Sequence, residues 1–340
     1  MSAILVTGAT SFLGYHVVKR LNERGVRPRV LERRDSKFDV LDRLDVERCA
    51  GYLEDPDAIR SACSGAETVL HLSFKVSVGG GPQAVDEMQR INVDGTRSLL
   101  QEAAASGVRR AVVTGSALAV GVNRQPAPLA ESASWSEHEF DLPYATMRRQ
   151  VELDAIGQAN AHFAVLTVCP SFTFGPDDPS GAPANKLLAA LMAGKVPAKL
   201  AVGFGCLDVR DFANGMVLAG ERGRSGERYL LSGENITVDR LVEEVASITG
   251  VRGPRFTAPS FLVKGLVGAL EVLSGIRGKP PAITRDVLQI LGRYAWYDTS
   301  KAQRELGWTP RPLHETLVDT IAWLRGQAAQ PAAAAARAGT

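Results

Sequence analysis

With 340 residues, 45% hydrophobic and 22% charged, the chain can bury a large core, and its composition is not that of a disordered or fibrous protein. Its 39 Lys and Arg against 37 Asp and Glu leave a net charge of +2, far short of the concentrated basic surface that nucleic acid requires of a partner. No run of about 18 uninterrupted apolar residues occurs, so no membrane span is predicted.

In chain order, Ala3-Ile4-Leu5-Val6-Thr7 reads as a buried strand. Leu13, Val17, Val18 and Leu21 then recur at helical spacing up to a stop at Gly25. Arg29-Val30-Leu31 predicts a second strand and Thr68-Val69-Leu70-His71-Leu72 a third. Val93, Thr96, Leu99, Leu100 and Ala103 mark a helix that ends at Ser106-Gly107. Ala111-Val112-Val113-Thr114 and Ala164-Val165-Leu166-Thr167-Val168 complete the strand pattern. Strands apolar on both faces, separated by helices, imply an α/β fold with a doubly wound parallel Rossmann sheet over residues 1–170. Residues 121–143, rich in Pro, Ser and Glu, read as a long surface loop.

Past Pro170 the pattern changes. Gly175-Pro176-Asp177-Asp178-Pro179 is a turn cluster, Asn185 to Met192 is helical, and residues 207–232 return to the first domain through Tyr229-Leu230-Leu231. Residues 171–206 and 233–326 are expected to form a smaller, mostly helical C-terminal substrate lobe. The Ala-rich stretch 327–340 is expected to be a disordered tail. Met1 and the apolar run behind it show no basic leader or cleavage pattern, and Cys49, Cys63, Cys169 and Cys206 form no C-x-x-C pair. The expectations are a cytoplasmic protein with buried free cysteines and no metal site.

The strongest local signal is Thr7-Gly8-Ala9-Thr10-Ser11-Phe12-Leu13-Gly14, between the first strand and the first helix. Glycine at the strand end permits a tight turn, and the helix N-terminus offers N–H donors and positive dipole to a pyrophosphate. Gly14 lets helix and sheet approach closely. Ser11 stands where a three-glycine pattern has its second glycine. At the end of the second strand, Glu32 suits the ribose hydroxyls of NAD(H) and Arg33 suits the 2′-phosphate of NADP(H). The pair leaves both cofactors open, with NAD(H) slightly favoured over NADP(H).

This turn, Asn92-Val93-Asp94-Gly95-Thr96, the strand end at Ser116, Tyr144 with a basic residue four positions on, Gly175-Pro176 and Gly226-Glu227-Arg228-Tyr229 together resemble the extended short-chain dehydrogenase/reductase family, the NAD-dependent epimerase/dehydratase superfamily. Glu131-Ser132 followed by Trp135, and Gly233-Glu234-Asn235-Ile236-Thr237, are similar to its dihydroflavonol 4-reductase-like and hopanoid-associated branch. The resemblance implies a nicotinamide-dependent ketone reductase or alcohol dehydrogenase acting on a small, fairly apolar substrate. In that chemistry Tyr144 gives or takes the proton, Ser116 holds the substrate oxygen, and residue 148 supplies positive charge beside the phenol. Gly8, Thr10, Ser11, Phe12, Leu13, Gly14, Glu32, Arg33, Leu53, Leu72, Ser73, Tyr144, Arg148, Pro170 and Phe172 are the cofactor contacts it implies. Phe172, Phe174 and Phe204 are expected to line the substrate pocket. The apolar run Phe261 to Leu273 is expected to form a helix over that pocket rather than a membrane-surface helix, because its basic content is low. A homodimer is a further expectation, because a helical dimer interface is common in the family.

Three positions depart from the family pattern. Residue 148 is arginine rather than lysine, one helical turn from Tyr144; it carries charge but does not relay a proton. Gly115 precedes Ser116 where a second hydroxyl is usual, and Tyr52 replaces an aspartate that binds adenine. Two alternatives stay open on the same fold. One is a redox-neutral nucleotide-sugar epimerase or dehydratase, although Phe204 stands seven residues before Asp211, where those relatives carry a diphosphate-binding arginine. The other is a non-catalytic NAD(P)-binding protein. His71, at a strand end beside the cleft, is read as a structural hydrogen-bonding group.

Overall fold

A computed structural model describes residues 3–36, 38–75, 81–133, 142–265, 267 and 286–338. The first half alternates β1 (Ala3–Thr7), α1 (Phe12–Glu23), β2 (Arg29–Glu32), β3 (Glu47–Ala50), α2 (Pro56–Cys63), β4 (Ala66–His71), α3 (Gly81–Met88), a π-helical turn (Gln89–Asp94) and α4 (Gly95–Ala105). It continues through β5 (Arg110–Thr114), a 3-10 turn (Ala117–Ala119), α5 (Pro143–Ile156) and β6 (Ala164–Pro170). Next come β7 (Phe172–Phe174), α6 (Pro183–Met192), β8 (Gly203–Asp208), α7 (Val209–Arg222), β9 (Arg228–Leu231), β10 (Asn235–Thr237) and α8 (Val238–Thr249). Then follow α9 (Asp286–Ile290), β11 (Tyr294–Ala295), α10 (Ser300–Leu306) and α11 (Leu313–Ala338).

Seven parallel strands form the main sheet in the order β3-β2-β1-β4-β5-β6-β9. Successive residues point to opposite faces and join different cores. Val6, Val30, Leu70, Val112 and Leu166 meet α1 and α7 through Val17, Leu21, Phe212 and Met216. Leu5, Leu31, Val69, Val113 and Val165 meet α2, α4 and α5 through Ile59, Leu99, Leu100 and Val151. This is the burial on both faces that a doubly wound parallel sheet requires. The strand order reverses between β1 and β4, which opens a crevice at their C-terminal ends, the usual ligand position in such sheets.

Four short strands, β7, β8, β10 and β11, make a second sheet. Phe174, Leu188, Leu191, Ile236, Leu241, Val245, Leu317 and Ile321 pack it against α6, α8 and α11. The sequence reading placed helices here and missed these strands, which have at most six residues and give little periodicity. The Ala-rich stretch read as a disordered tail continues α11 as far as Ala338. Alanine has the highest helix propensity, so a helix already anchored by Leu313, Leu317 and Ile321 extends readily through it. Among the described residues, no helix is long and apolar enough to cross a membrane.

Candidate active site and cofactor cleft

The turn after β1 is tight because its two glycines abut backbone. Gly8 sits at φ +72°, and a Cβ there would lie 2.6 Å from the Ser73 nitrogen and 2.7 Å from the Leu72 carbonyl carbon. A Cβ on Gly14 would fall 2.0 Å from the Gly8 oxygen. Ser11 explains its own departure from the glycine pattern. As N-cap of α1, its hydroxyl donates to the Gly8 carbonyl at 2.7 Å and accepts from the Gly14 N–H at 3.1 Å. Among the described residues, the Phe12 and Leu13 N–H groups make no hydrogen bond, so both stay available at the positive end of the helix. The Phe12 ring is buried beneath Gly175, leaving its amide rather than its ring to face the cleft.

Glu32, at the end of β2, is buried and bonded to the same turn. Its carboxylate accepts from the Thr10 N–H at 3.1 Å and the Thr10 hydroxyl at 3.2 Å. Burial pushes this carboxyl above the usual range, and the Thr10 donors oppose the rise. Arg33 points to solvent, 3.5 Å from Asp35. Leu53 is buried against Gly95 at the start of α4, while Tyr52 beside it is exposed. Leu72 and Ser73 close the other side of the turn, so the candidate contacts from β1, β2 and β4 converge at the switch point.

His71, paired in register with Thr7, bridges two threonines. Its Nδ1 lies 2.6 Å from the Thr7 hydroxyl and its Nε2 2.9 Å from that of Thr96. The Thr96 hydroxyl donates to the Asn92 carbonyl at 2.5 Å, so it accepts from His71 Nε2–H, and Nδ1 then accepts from Thr7. Both nitrogens are used in these bonds, the arrangement of a structural link. It ties the cleft strand to α4.

Proline at the start of α5 places Tyr144 in the first turn and Arg148 one turn on. Arg148 is buried; its Nε donates to the Tyr144 hydroxyl at 3.1 Å and its Nη1 to the Thr114 carbonyl at 3.0 Å. Its guanidinium carbon lies 3.2 Å from the centre of the Phe74 ring, and that ring meets Tyr144 edge-on at 6.0 Å. Phe74 therefore holds both side chains, a contact the sequence reading missed because nothing local links residue 74 to α5. Ser116 is the buried N-cap of the turn Ala117–Ala119, against which α5 packs.

The space behind Ser116 accounts for Gly115. A Cβ there would come 2.7 Å from Cys169 Sγ and 3.4 Å from a Glu152 oxygen. Cys169 donates to Glu152 at 3.2 Å, and Arg228 Nε lies 3.0 Å from the same carboxylate. Burial raises both the Glu152 carboxyl and the Cys169 thiol.

Pro170 ends β6 and Phe172 opens β7 of the second sheet. The Phe172 and Phe204 rings stack edge-on at 5.4 Å, and both are half-buried. Phe174 corrects the sequence expectation. It is fully buried in the second core against α6 and α8, so it does not line a pocket. Among the described residues no group of three or more His, Cys, Asp or Glu side chains is placed to hold a metal.

Residues 4–232 match the family described as the NAD dependent epimerase/dehydratase family. Sterol demethylase protein B of Methylococcus capsulatus is 33% identical over 325 residues, covering 94% of this chain and 98% of that protein. A putative dihydroflavonol 4-reductase of Synechocystis sp. is 29% identical over 324 residues, 94% of each chain. The crystal structure of gox2253 superposes with a TM-score of 0.84 at 31% identity, covering 96% of this chain and 99% of that one.

Proposed function

The chain belongs to the NAD dependent epimerase/dehydratase family, and on that premise we propose that it is a nicotinamide-dependent ketone reductase or alcohol dehydrogenase acting on a small, fairly apolar substrate. The observation that carries this reading is the buried Arg148 donating to the Tyr144 hydroxyl at 3.1 Å, beside the strand end that bears Ser116. The bound nicotinamide would supply or accept a hydride at the substrate carbon. The Phe12 and Leu13 amides would hold its pyrophosphate, Glu32 its adenosine ribose, and Leu72 and Ser73 the wall of its cleft.

Tyr144 is the proton donor to the substrate oxygen, and Ser116 holds that oxygen by a hydrogen bond. Because Arg148 Nε already donates to the phenol oxygen, the phenol's own hydrogen is free to point to substrate. The guanidinium stabilises the phenolate left when that proton moves, and it cannot take the proton's place. Phe74, stacked on the guanidinium, limits its swing.

Residues 171–206, in the segment expected to form part of the substrate lobe, support the apolar substrate class. Phe172 and Phe204 present an apolar pair where nucleotide-sugar relatives carry a cation. The nearby cations Arg210 and Arg311 are bound to Asp208, Asp211 and Asp319. With these two committed to carboxylates, a buried diphosphate would find neither of them free, which supports ranking the epimerase reading second. The names of the two curated relatives, a sterol and a dihydroflavonol protein, fit an apolar ring ketone. We assign NAD(H) over NADP(H), because a 2′-phosphate would approach the Glu32 carboxylate; Glu32→Ala shifts relative affinity toward NADP(H).

Activity on a panel of apolar ketones tests the reading. Tyr144→Phe lowers turnover by about 10²-fold or more while cofactor affinity, read by calorimetry, hardly changes. Arg148→Lys retains or raises activity, whereas Arg148→Met loses it. Full turnover in Tyr144→Phe would mean that the chemistry lies elsewhere.

A further inference from the structure

We propose that the surface carrying Phe256, Phe261 and Leu262 docks on an anionic lipid bilayer. These are the three most exposed large hydrophobic side chains among the described residues, at 60%, 71% and 55%. They fall within seven consecutive residues. Single exposed apolar side chains are ordinary on a protein surface; a local concentration marks an interaction site.

The backbone under them is ordered. Lys199 N–H donates to the Phe256 carbonyl at 3.0 Å and Ala258 N–H to the Lys199 carbonyl at 2.8 Å, which forms a bridge between Lys199 and Thr257. Leu262 and Val263 N–H then donate to the Pro259 carbonyl at 3.0 and 3.3 Å, starting a helical turn. Val263 is buried and anchors that turn, so its neighbours Phe261 and Leu262 are held outward. The sequence reading expected the run from Phe261 to cover the substrate pocket; its first two residues face solvent instead, and 266 and 268–273 lie outside the described residues.

Charge selects the occupant. Residues 251–265 carry Arg252, Arg255 and Lys264 and no acidic side chain. All three cations are exposed and none joins an ion pair among the described residues. Lys199, behind them, is paired with Asp239. Aromatic and leucine side chains flanked by cations match the interfacial zone of a bilayer, rings among the acyl chains and charges at anionic headgroups. A protein partner needs about 800 Å² of contact on each side. Three side chains that bury at most about 150–250 Å² each, already partly covered, fall short of that. A lipid surface sets no such minimum.

The proposal stands apart from the redox chemistry, and its test contains no substrate. The full chain is sedimented at low salt with vesicles of phosphatidylcholine alone and of phosphatidylcholine mixed with phosphatidylglycerol. The chain sediments with the mixed vesicles, little with the neutral ones, and less as salt rises. Arg252→Gln, Arg255→Gln and Lys264→Gln each weaken binding about fivefold. The triple change Phe256→Ser, Phe261→Ser and Leu262→Ser abolishes it without altering thermal unfolding, since all three side chains are exposed. Should that variant fold poorly, Phe261→Trp serves in its place, its emission moving to the blue only with anionic vesicles. Absence of sedimentation with the mixed vesicles at low salt overturns the proposal. So does a serine variant that still binds vesicles but converts a dimer into a monomer, which would make a second copy the occupant.

Discussion

Burial takes His71 down to about pKa 3, because loss of hydration disfavours the charged ring and the Arg148 guanidinium adds repulsion. In the unfolded chain the same ring takes up a proton below about pH 6.5. Between those values the unfolded state holds one more proton, so His71 makes the fold less stable as pH falls, by about 1.4 kcal/mol per pH unit. His71→Gln does not titrate. Urea unfolding of both proteins from pH 7.5 to 5 should show the stability advantage of the wild type shrinking with each step down. A pH-independent gap would mean that the ring is not held neutral. His16, also lowered by burial, titrates in the same direction in both proteins and cancels from the comparison. That His71 is structural was legible from its place at a strand end. Its two threonine partners were not, because one lies on a neighbouring strand and the other on α4.

Helix α5 carries a polar stripe at Tyr144, Arg148 and Glu152, spaced four apart, so all three lie along the face turned to β5 and β6. The Tyr144–Arg148 pair could be read from that spacing alone. Glu152 could not, since its meaning depends on Cys169 and Arg228 meeting it from β6 and β9. The same cluster explains why Gly115 replaces the family's hydroxyl residue. Restoring the side chain with Gly115→Ser drives a Cβ to 2.7 Å from Cys169 Sγ and should cost about 1–3 kcal/mol. Adding Cys169→Ala removes the obstructing sulfur, so the double variant should recover most of the loss in chemical denaturation. Strictly additive costs would show that the sulfur is not what excludes the side chain.

The helices packed on the two sheets are joined by ion pairs around the start of α7. Asp211 accepts from the Arg311 backbone N–H at 2.7 Å and from its guanidinium at 2.9 Å, while Arg210 links Asp208 to Asp319 on α11. Asp211 is buried, so Asp211→Ala leaves the guanidinium short of a partner. Arg311 keeps Asp208 at 3.5 Å, which puts the expected loss near the lower end of the usual range, about 3 kcal/mol in thermal unfolding. Removing Asp57 from its exposed pair with Arg60 should leave the midpoint unchanged. Equal effects in the two variants would refute a special role for the buried cluster. From sequence alone, the parallel sheet, the tight glycine turn after β1 and the Tyr144–Arg148 spacing were already determined, because alternation, capping and one-turn spacing are properties of neighbouring residues. Tertiary packing decided the rest. Phe74 lies on Arg148, Phe174 is sealed in a core while Phe172 and Phe204 face each other, and strands of two or three residues pair with β8. Each joins segments far apart in the chain, where steric fit and burial choose the partner and no local pattern records the choice.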